Sequence, residues 1–128
     1  MQEPHVFEYA VIRIVPRVER EEFLNAGVIL YCPKQKFLQA KITLNEARLQ
    51  AFGPSLDLDE VKKNLCVFAQ ICEGHSGSGP IGKLERAARF RWLTATRSTV
   101  VQLSKVHPGL CTDAGATLAH LHEQLVAL

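Results

Sequence analysis

The feature that most restricts the fold of this chain is a change in the spacing of its apolar residues. Within Phe37–Leu44, every second residue from Leu38 onward is apolar, which is the pattern of a strand with one buried face. From Leu58 to Cys72 the apolar residues are instead three, four, three and four positions apart, which is typical of a helix with one apolar stripe. The sequence therefore predicts a strand followed by a helix.

Two further segments near the start of the chain are predicted to be strands. Tyr9–Val15 is rich in β-branched residues and has apolar side chains on both faces, and Gly27–Cys32 is a short apolar run. Only Pro33–Lys36 separates the second of these from Phe37–Leu44, and four residues are enough for a hairpin. We therefore predict a three-stranded antiparallel meander.

The middle and end of the chain are predicted to be mainly helical. Asn45 and Asp57 are good N-cap residues for helices over Glu46–Phe52 and Leu58–Cys72, and Gly74 is a suitable C-terminal stop for the second. The other predicted elements are a helix within Ile81–Leu93, a strand over Thr99–Leu103 and a helix over Ala114–Ala127.

The order of these elements predicts an α+β fold. Because strands and helices are segregated along the chain, we expect a mainly antiparallel sheet of three to five strands, with helices packed on the face that carries Ile12, Ile14 and Ile42. A length of 128 residues is typical of one domain. We therefore predict a single domain over residues 1–128, with a flexible Gly/Ser-rich loop over residues 74–80.

The sequence predicts a cytoplasmic protein without membrane association. No apolar run approaches the ~20 residues of a membrane span, and the N-terminus has acidic residues where a signal peptide would have basic ones. None of the four cysteines forms a C-x-x-C pair. His107 and Cys111 lie close in sequence, but no second half of a metal site accompanies them, so neither a metal nor a cofactor is predicted.

The second face of the predicted sheet is unusually apolar. It carries Tyr9, Val11, Val15 and Phe37, whereas a face exposed to water normally shows less apolar surface. The sequence leaves three alternatives for what covers this face: the linker Pro16–Ala26, the terminal helix, or a second copy of the chain. The last would make a homodimer, which is the commonest symmetric assembly.

Arg13 is the strongest single candidate for a binding residue. A guanidinium in the middle of a strand that is covered on both faces needs a carboxylate, backbone carbonyls or a ligand anion. Glu22 in the following linker is suitable if the linker folds back over the sheet. Arg13 is therefore expected either in a structural ion pair with Glu22 or in a site for a ligand or partner.

Basic residues are concentrated between Lys83 and Lys105, where six basic side chains accompany one acidic side chain. This excess is typical either of a solvated helix face or of a phosphate site. Arginines also alternate with aromatic residues in Arg89–Trp92, which ends in the only tryptophan, as in some proteins that bind nucleic acids. One short segment without other aromatic neighbours does not favour nucleic-acid binding.

Three segments of the chain agree in order and spacing with a known protein family. They are Tyr9–Pro16, Glu22–Leu30 and Arg89–Ser98. They resemble the bacterial family catalogued as domain of unknown function 3037. The resemblance implies a bacterial source and one small domain, and it transfers no catalytic residue. It also implies a HipA-like kinase as a partner, because members of the family are often encoded beside such kinases.

The polar residues that match the family form a candidate site for an anion or another ligand. They are Arg13, Glu22, Asn25, Arg91, Arg97 and His107. These residues would come together if the linker after Pro16 folds over the first strand and the segment 91–97 crosses the same end of the sheet.

Two functions are compatible with these residues. Since the sequence assembles no nucleophile–base pair and no paired carboxylates, we favour a non-catalytic binding or interaction module, acting with a kinase-like partner. The alternative is a small enzyme or binder acting on a phosphate ester or nucleic acid. In that case Arg13, Arg91 and Arg97 would bind the anion, and His107 or Glu22 would transfer protons.

Overall fold

Five antiparallel strands form one sheet, and helices pack against it, in a computed structural model that describes residues 3–74, 77, 79–95 and 99–127. The elements are β1 (His5–Ile14), β2 (Leu24–Cys32), β3 (Phe37–Ile42), α1 (Glu46–Phe52), α2 (Leu58–Glu73), α3 (Gly79–Gly82), α4 (Arg86–Leu93), β4 (Val101–Leu103), β5 (His107–Cys111) and α5 (Ala114–Leu125). A 3₁₀ turn over Val18–Arg20 lies between β1 and β2. The predicted α+β class is confirmed.

Strand β1 lies in the centre of the sheet. The strand order is β3-β2-β1, and the other edge of β1 pairs with two strands at different positions along its length. β4 pairs with Ile12–Ile14, whereas β5 pairs with His5–Tyr9. The predicted meander of three antiparallel strands is confirmed as β1, β2 and β3.

The second half of the chain contains two elements that were not predicted, β5 and α3. β5 was not predicted, because Pro108 and Gly109 interrupt its pattern, although proline is tolerated in a strand at the edge of a sheet. The helix predicted within Ile81–Leu93 is confirmed as α4, and a further short helix, α3, precedes it. Residues 75, 76 and 78 of the predicted flexible loop lie outside the described residues, and α3 begins at Gly79.

The sheet has a separate hydrophobic core on each face. On the first face, Ile12, Ile14 and Ile29 pack with residues of three helices: Leu49 of α1, Leu65 and Phe68 of α2, and Phe90 and Leu93 of α4. The prediction of helices on this face therefore holds for α1, α2 and α4.

The terminal helix packs on the opposite face. There, Phe7, Val28 and Leu30 of the sheet contact Ala114 and Leu118 of α5. Of the three covers considered for this face, the terminal helix is the one in place, because its apolar stripe matches the apolar side chains of β1 and β2. The prediction that all helices lie on one face does not extend to α5.

Hydrogen bonds at both ends fix the direction of α5. At its start, Gln35 of the β2–β3 hairpin accepts a hydrogen bond from the Ala114 N–H at 2.9 Å and donates one to the Thr112 carbonyl at 2.7 Å. At its end, the Asn25 Nδ2 donates to the Leu125 carbonyl at 3.0 Å. The last turn of α5 therefore lies where β1 ends and β2 begins. None of the described helices is long and apolar enough to cross a membrane.

Candidate functional site

A cleft lies at the end of the sheet where the last turn of α5 meets the start of α1. It consists of a cavity of about 300 Å³ and a neighbouring depression of about 260 Å³, which share Leu24, Asn25, Arg48, Val126 and Ala127. Thr43 lines the first part and Phe23 the second. We call this the sheet-end cleft. Its walls combine apolar side chains with amide and guanidinium groups.

Asn25 is placed in this cleft by a β-bulge. Ile12 pairs with Gly27, but Arg13 pairs with Asn25, so that Ala26 is an extra residue in β2. Because of this shift, Ala26 packs in the first core, and Asn25 faces α5 instead. The Asn25 Nδ2 donates to the Leu125 carbonyl, whereas its Oδ1 is buried without a hydrogen-bond partner. The amide of Asn25, which lines the cleft, is therefore only partly satisfied.

Arg13 lies directly opposite Asn25 and is half-buried. Its Cζ is 4.0 Å from the centre of the Phe23 ring, a cation–π contact. Its Nε is buried and has no hydrogen-bond partner. The guanidinium is thus held against an aromatic ring that itself lines the sheet-end cleft.

The predicted ion pair between Arg13 and Glu22 is wrong. The Glu22 carboxylate accepts a hydrogen bond from Arg20 Nε, and both side chains are at least half exposed. The 3₁₀ turn brings these two residues together locally, which costs less ordering of the chain than folding the linker over the sheet. Among the described residues, no ion pair involves Arg13.

Arg48 supplies a cation to the lining of the sheet-end cleft, whereas Arg13 contacts the cleft through the Phe23 ring. It is exposed in the first turn of α1, where its backbone N–H donates to the Asn45 cap at 3.0 Å. In the part of the chain that the structure describes, no ion pair involves its guanidinium. Guanidinium groups bind carboxylates and phosphates through paired hydrogen bonds. The cleft is therefore suited to an acidic group attached to an apolar one, which would contact Phe23, Leu24 and Val126.

The other predicted site residues lie elsewhere. His107 of β5 pairs with Tyr9 of β1, which is four residues, or about 14 Å at ~3.4 Å per residue, from Arg13 along the strand. Arg91 is exposed on α4, which packs on the opposite face of the sheet from Arg13. Arg97 lies outside the described residues. Of the six candidates, Arg13 and Asn25 are brought together.

Two residues of the sheet-end cleft were missed from the sequence. Phe23 lies between the candidates Glu22 and Asn25 in the sequence. Its aromatic side chain near these two polar residues is the only sequence feature that indicates a role in the site. Arg48 belongs to a short helix with ordinary composition, so its position depends on the packing of α1 against the sheet. Within the described residues, no group of His, Cys, Asp and Glu side chains could hold a metal ion.

His122 of α5 borders the cleft. It is buried, and its Nε2 is 2.9 Å from the Oγ1 of Thr43, which lines the cleft. Burial lowers the pKa of His122 below its ordinary value of 6.5, and the nearby Lys41 cation lowers it further. The neutral imidazole is therefore favoured in the folded protein.

We expect His122 to make stability depend on pH. Because its pKa is lower in the folded than in the unfolded protein, its contribution is complete above pH 6.5 and is lost as the pH falls through 6.5 towards the folded-state pKa. The Tm should therefore fall less for His122→Gln than for the wild type between about pH 7 and about pH 5. His120→Gln, at an exposed position on the same helix, should behave as the wild type. Equal pH dependence in all three proteins would contradict this prediction.

The profile of a family described as "Protein of unknown function (DUF3037)" matches residues 9–126. No curated protein and no solved structure matches. The matched residues include Arg13, Asn25 and Arg48, so the sheet-end cleft, apart from Ala127, lies within the matched part of the chain.

Proposed function

The chain belongs to the family of proteins of unknown function (DUF3037), and we propose that it is a non-catalytic interaction module. We infer that it binds an acidic, partly apolar segment of a protein partner in the sheet-end cleft. The observation that most supports this is the Arg13 guanidinium, which is half-buried on Phe23 and has no acidic partner among the described residues. A partly buried cation without an anion is unfavourable. A partner's carboxylate therefore gains more binding free energy by pairing with Arg13 than by pairing with an exposed arginine.

The composition of the cleft supports a protein segment as its ligand. Phe23, Leu24 and Val126 offer apolar surface beside Arg48, and the Phe23 ring also contacts the Arg13 guanidinium, so an acidic segment with an apolar side chain is a suitable ligand. Binding a phosphate ester or nucleic acid through Arg13, Arg91 and His107 has less support. Those three side chains belong to different places on the sheet and on its helices.

We further propose that the partner is a HipA-like kinase in the cytoplasm of a bacterium, on the basis of the family resemblance. A homodimer stays a prediction, and its original reason is weaker, because α5 covers the apolar face that a second copy would have covered.

The proposal is tested by measuring binding of a purified HipA-like kinase to the wild-type chain and to three variants. Arg13→Gln and Arg48→Gln should each raise the Kd roughly tenfold or more, because each removes a charge-assisted hydrogen bond to the acidic segment. Arg91→Gln removes an equal charge from an exposed position on α4 and should leave the Kd unchanged. Thermal unfolding of each variant would verify that it is folded.

Two results would contradict the proposal. One is an unchanged Kd in both Arg13→Gln and Arg48→Gln. The other is an equal loss of binding in all three variants, which would indicate attraction by overall positive charge rather than by the sheet-end cleft.

A further inference from the structure

A second cleft lies at the opposite end of the sheet, between the β2–β3 hairpin and the start of α4. It has a volume of about 560 Å³, and its charged lining consists of Lys36, Glu73, Glu85, Arg86 and Arg89. We call it the hairpin cleft. We propose that it binds a phosphate ester of a small polyol such as a sugar, with the phosphate on the three basic side chains and the hydroxyl groups on the two carboxylates. This site is separate from the sheet-end cleft and does not depend on the proposed function.

Arg89 is held in a fixed orientation at this cleft. Its Nη1 donates a hydrogen bond to the Leu84 carbonyl at 2.6 Å. Its guanidinium also lies against Gly74, where a Cβ would be only 3.1 Å from the Arg89 Cζ. The Arg89 Nε is buried and has no hydrogen-bond partner. A guanidinium fixed in this way can bind an anionic oxygen through its outer N–H groups with little further ordering of the side chain.

Lys36 has a backbone conformation that is costly for lysine. Its φ is 51°, in the left-handed region, and its N–H closes the hairpin turn on the Pro33 carbonyl at 3.1 Å. Glycine is the residue that adopts this conformation most cheaply at the equivalent position of such hairpins. A strained residue in a binding cleft suggests a function for its side chain. In this case the lysine ammonium adds a third cation to the hairpin cleft.

The two acidic residues narrow the choice of ligand. In the part of the chain that the structure describes, the five charged groups of the cleft form no ion pairs with one another. The excess of one positive charge attracts an anion, but Glu73 and Glu85 would repel a strand of nucleic acid with its many phosphates. Carboxylates do accept hydrogen bonds from hydroxyl groups. A single phosphate attached to a hydroxyl-bearing group would therefore contact the basic side chains through the phosphate and the carboxylates through the hydroxyl groups. The volume of the hairpin cleft is within the ~300–1,000 Å³ that is typical of small-molecule sites.

The test is calorimetric titration of the chain with ribose 5-phosphate, glucose 6-phosphate and glycerol 3-phosphate, and with ribose and inorganic phosphate as reference ligands. At least one of the three esters should bind saturably and roughly tenfold or more tighter than inorganic phosphate, while ribose should not bind. Lys36→Gly should weaken that binding severalfold without loss of stability, since glycine adopts the φ of residue 36 freely. Arg86→Gln should weaken it similarly, and Arg91→Gln on the same helix should leave it unchanged.

The proposal is overturned if none of the three esters binds saturably. It is also overturned if Lys36→Gly and Arg86→Gln both bind the best ester as the wild type does. Neither variant changes the sheet-end cleft, so both should retain full binding of a protein partner there. A variant that loses ester binding but retains partner binding therefore tests this proposal independently of the proposed function.

Discussion

Replacing Phe90 with alanine should lower the free energy of unfolding by about 3–5 kcal/mol. Phe90 is 2% exposed on the inner side of α4, and its ring centre is 5.4 Å from that of Tyr31 on β2. Removing the ring leaves a cavity between the helix and the sheet that the fixed backbone of both elements cannot close. Urea denaturation measures the change directly.

The neighbouring residue provides a matched control for Phe90→Ala. Arg91 is exposed on the same helix, so Arg91→Ala should change stability by no more than about 0.5 kcal/mol. If Phe90→Ala cost as little as Arg91→Ala, α4 would not pack on the first face of the sheet as described.

Replacing Gly109 with alanine should destabilise the protein by about 1–3 kcal/mol. A Cβ at position 109 would be 2.5 Å from Cζ and 2.7 Å from Cε1 of Phe7, which is buried in the second core. Either the ring or strand β5 would have to move. The additional change Phe7→Leu shortens the opposing side chain, so the effect of Gly109→Ala should be smaller in that background.

Gly115 provides the comparison for this substitution. A Cβ there would be 3.5 Å from the nearest neighbour, the Oδ1 of Asp113, and alanine is favoured over glycine in helices by about 1 kcal/mol. Gly115→Ala should therefore leave the protein as stable as the wild type or more stable. Equal stability of Gly109→Ala and the wild type would contradict the pairing of β5 with β1.

The parts of the fold with strong periodicity could be predicted from the sequence, and the weakly patterned parts could not. The stripe of α2 and its Asp57 cap follow directly from residue spacing, and the structure contains both. By contrast, β5 is a strand because the exposed edge of β1 pairs with it, although Pro108 and Gly109 are poor strand residues. Tertiary pairing, rather than local preference, determines such a segment.

The same distinction applies to the candidate site. Arg13 could be identified because a charge within an apolar strand is conspicuous in sequence. Its relation to Asn25 depends on the one-residue bulge at Ala26, and a bulge of this kind leaves no clear pattern in one sequence. The sequence predicts a pair between Glu22 and Arg13, but the carboxylate of Glu22 accepts its hydrogen bond from Arg20, which is only two positions before it. Arg48 reaches the cleft only through the packing of α1.

The most direct test of the sheet-end cleft is to follow the Nε–H NMR signals of the arginines while an acidic peptide that contains phenylalanine is added to the protein. Arg13 Nε is buried without a hydrogen-bond partner in the described structure, so its signal should shift when a carboxylate of the peptide approaches the guanidinium. The Arg91 signal, from an exposed side chain on α4, should not change. Two results would contradict the assignment of the sheet-end cleft as the binding site. In one, the peptide saturates binding and shifts the Arg91 signal but not the Arg13 signal, and in the other, the peptide does not bind.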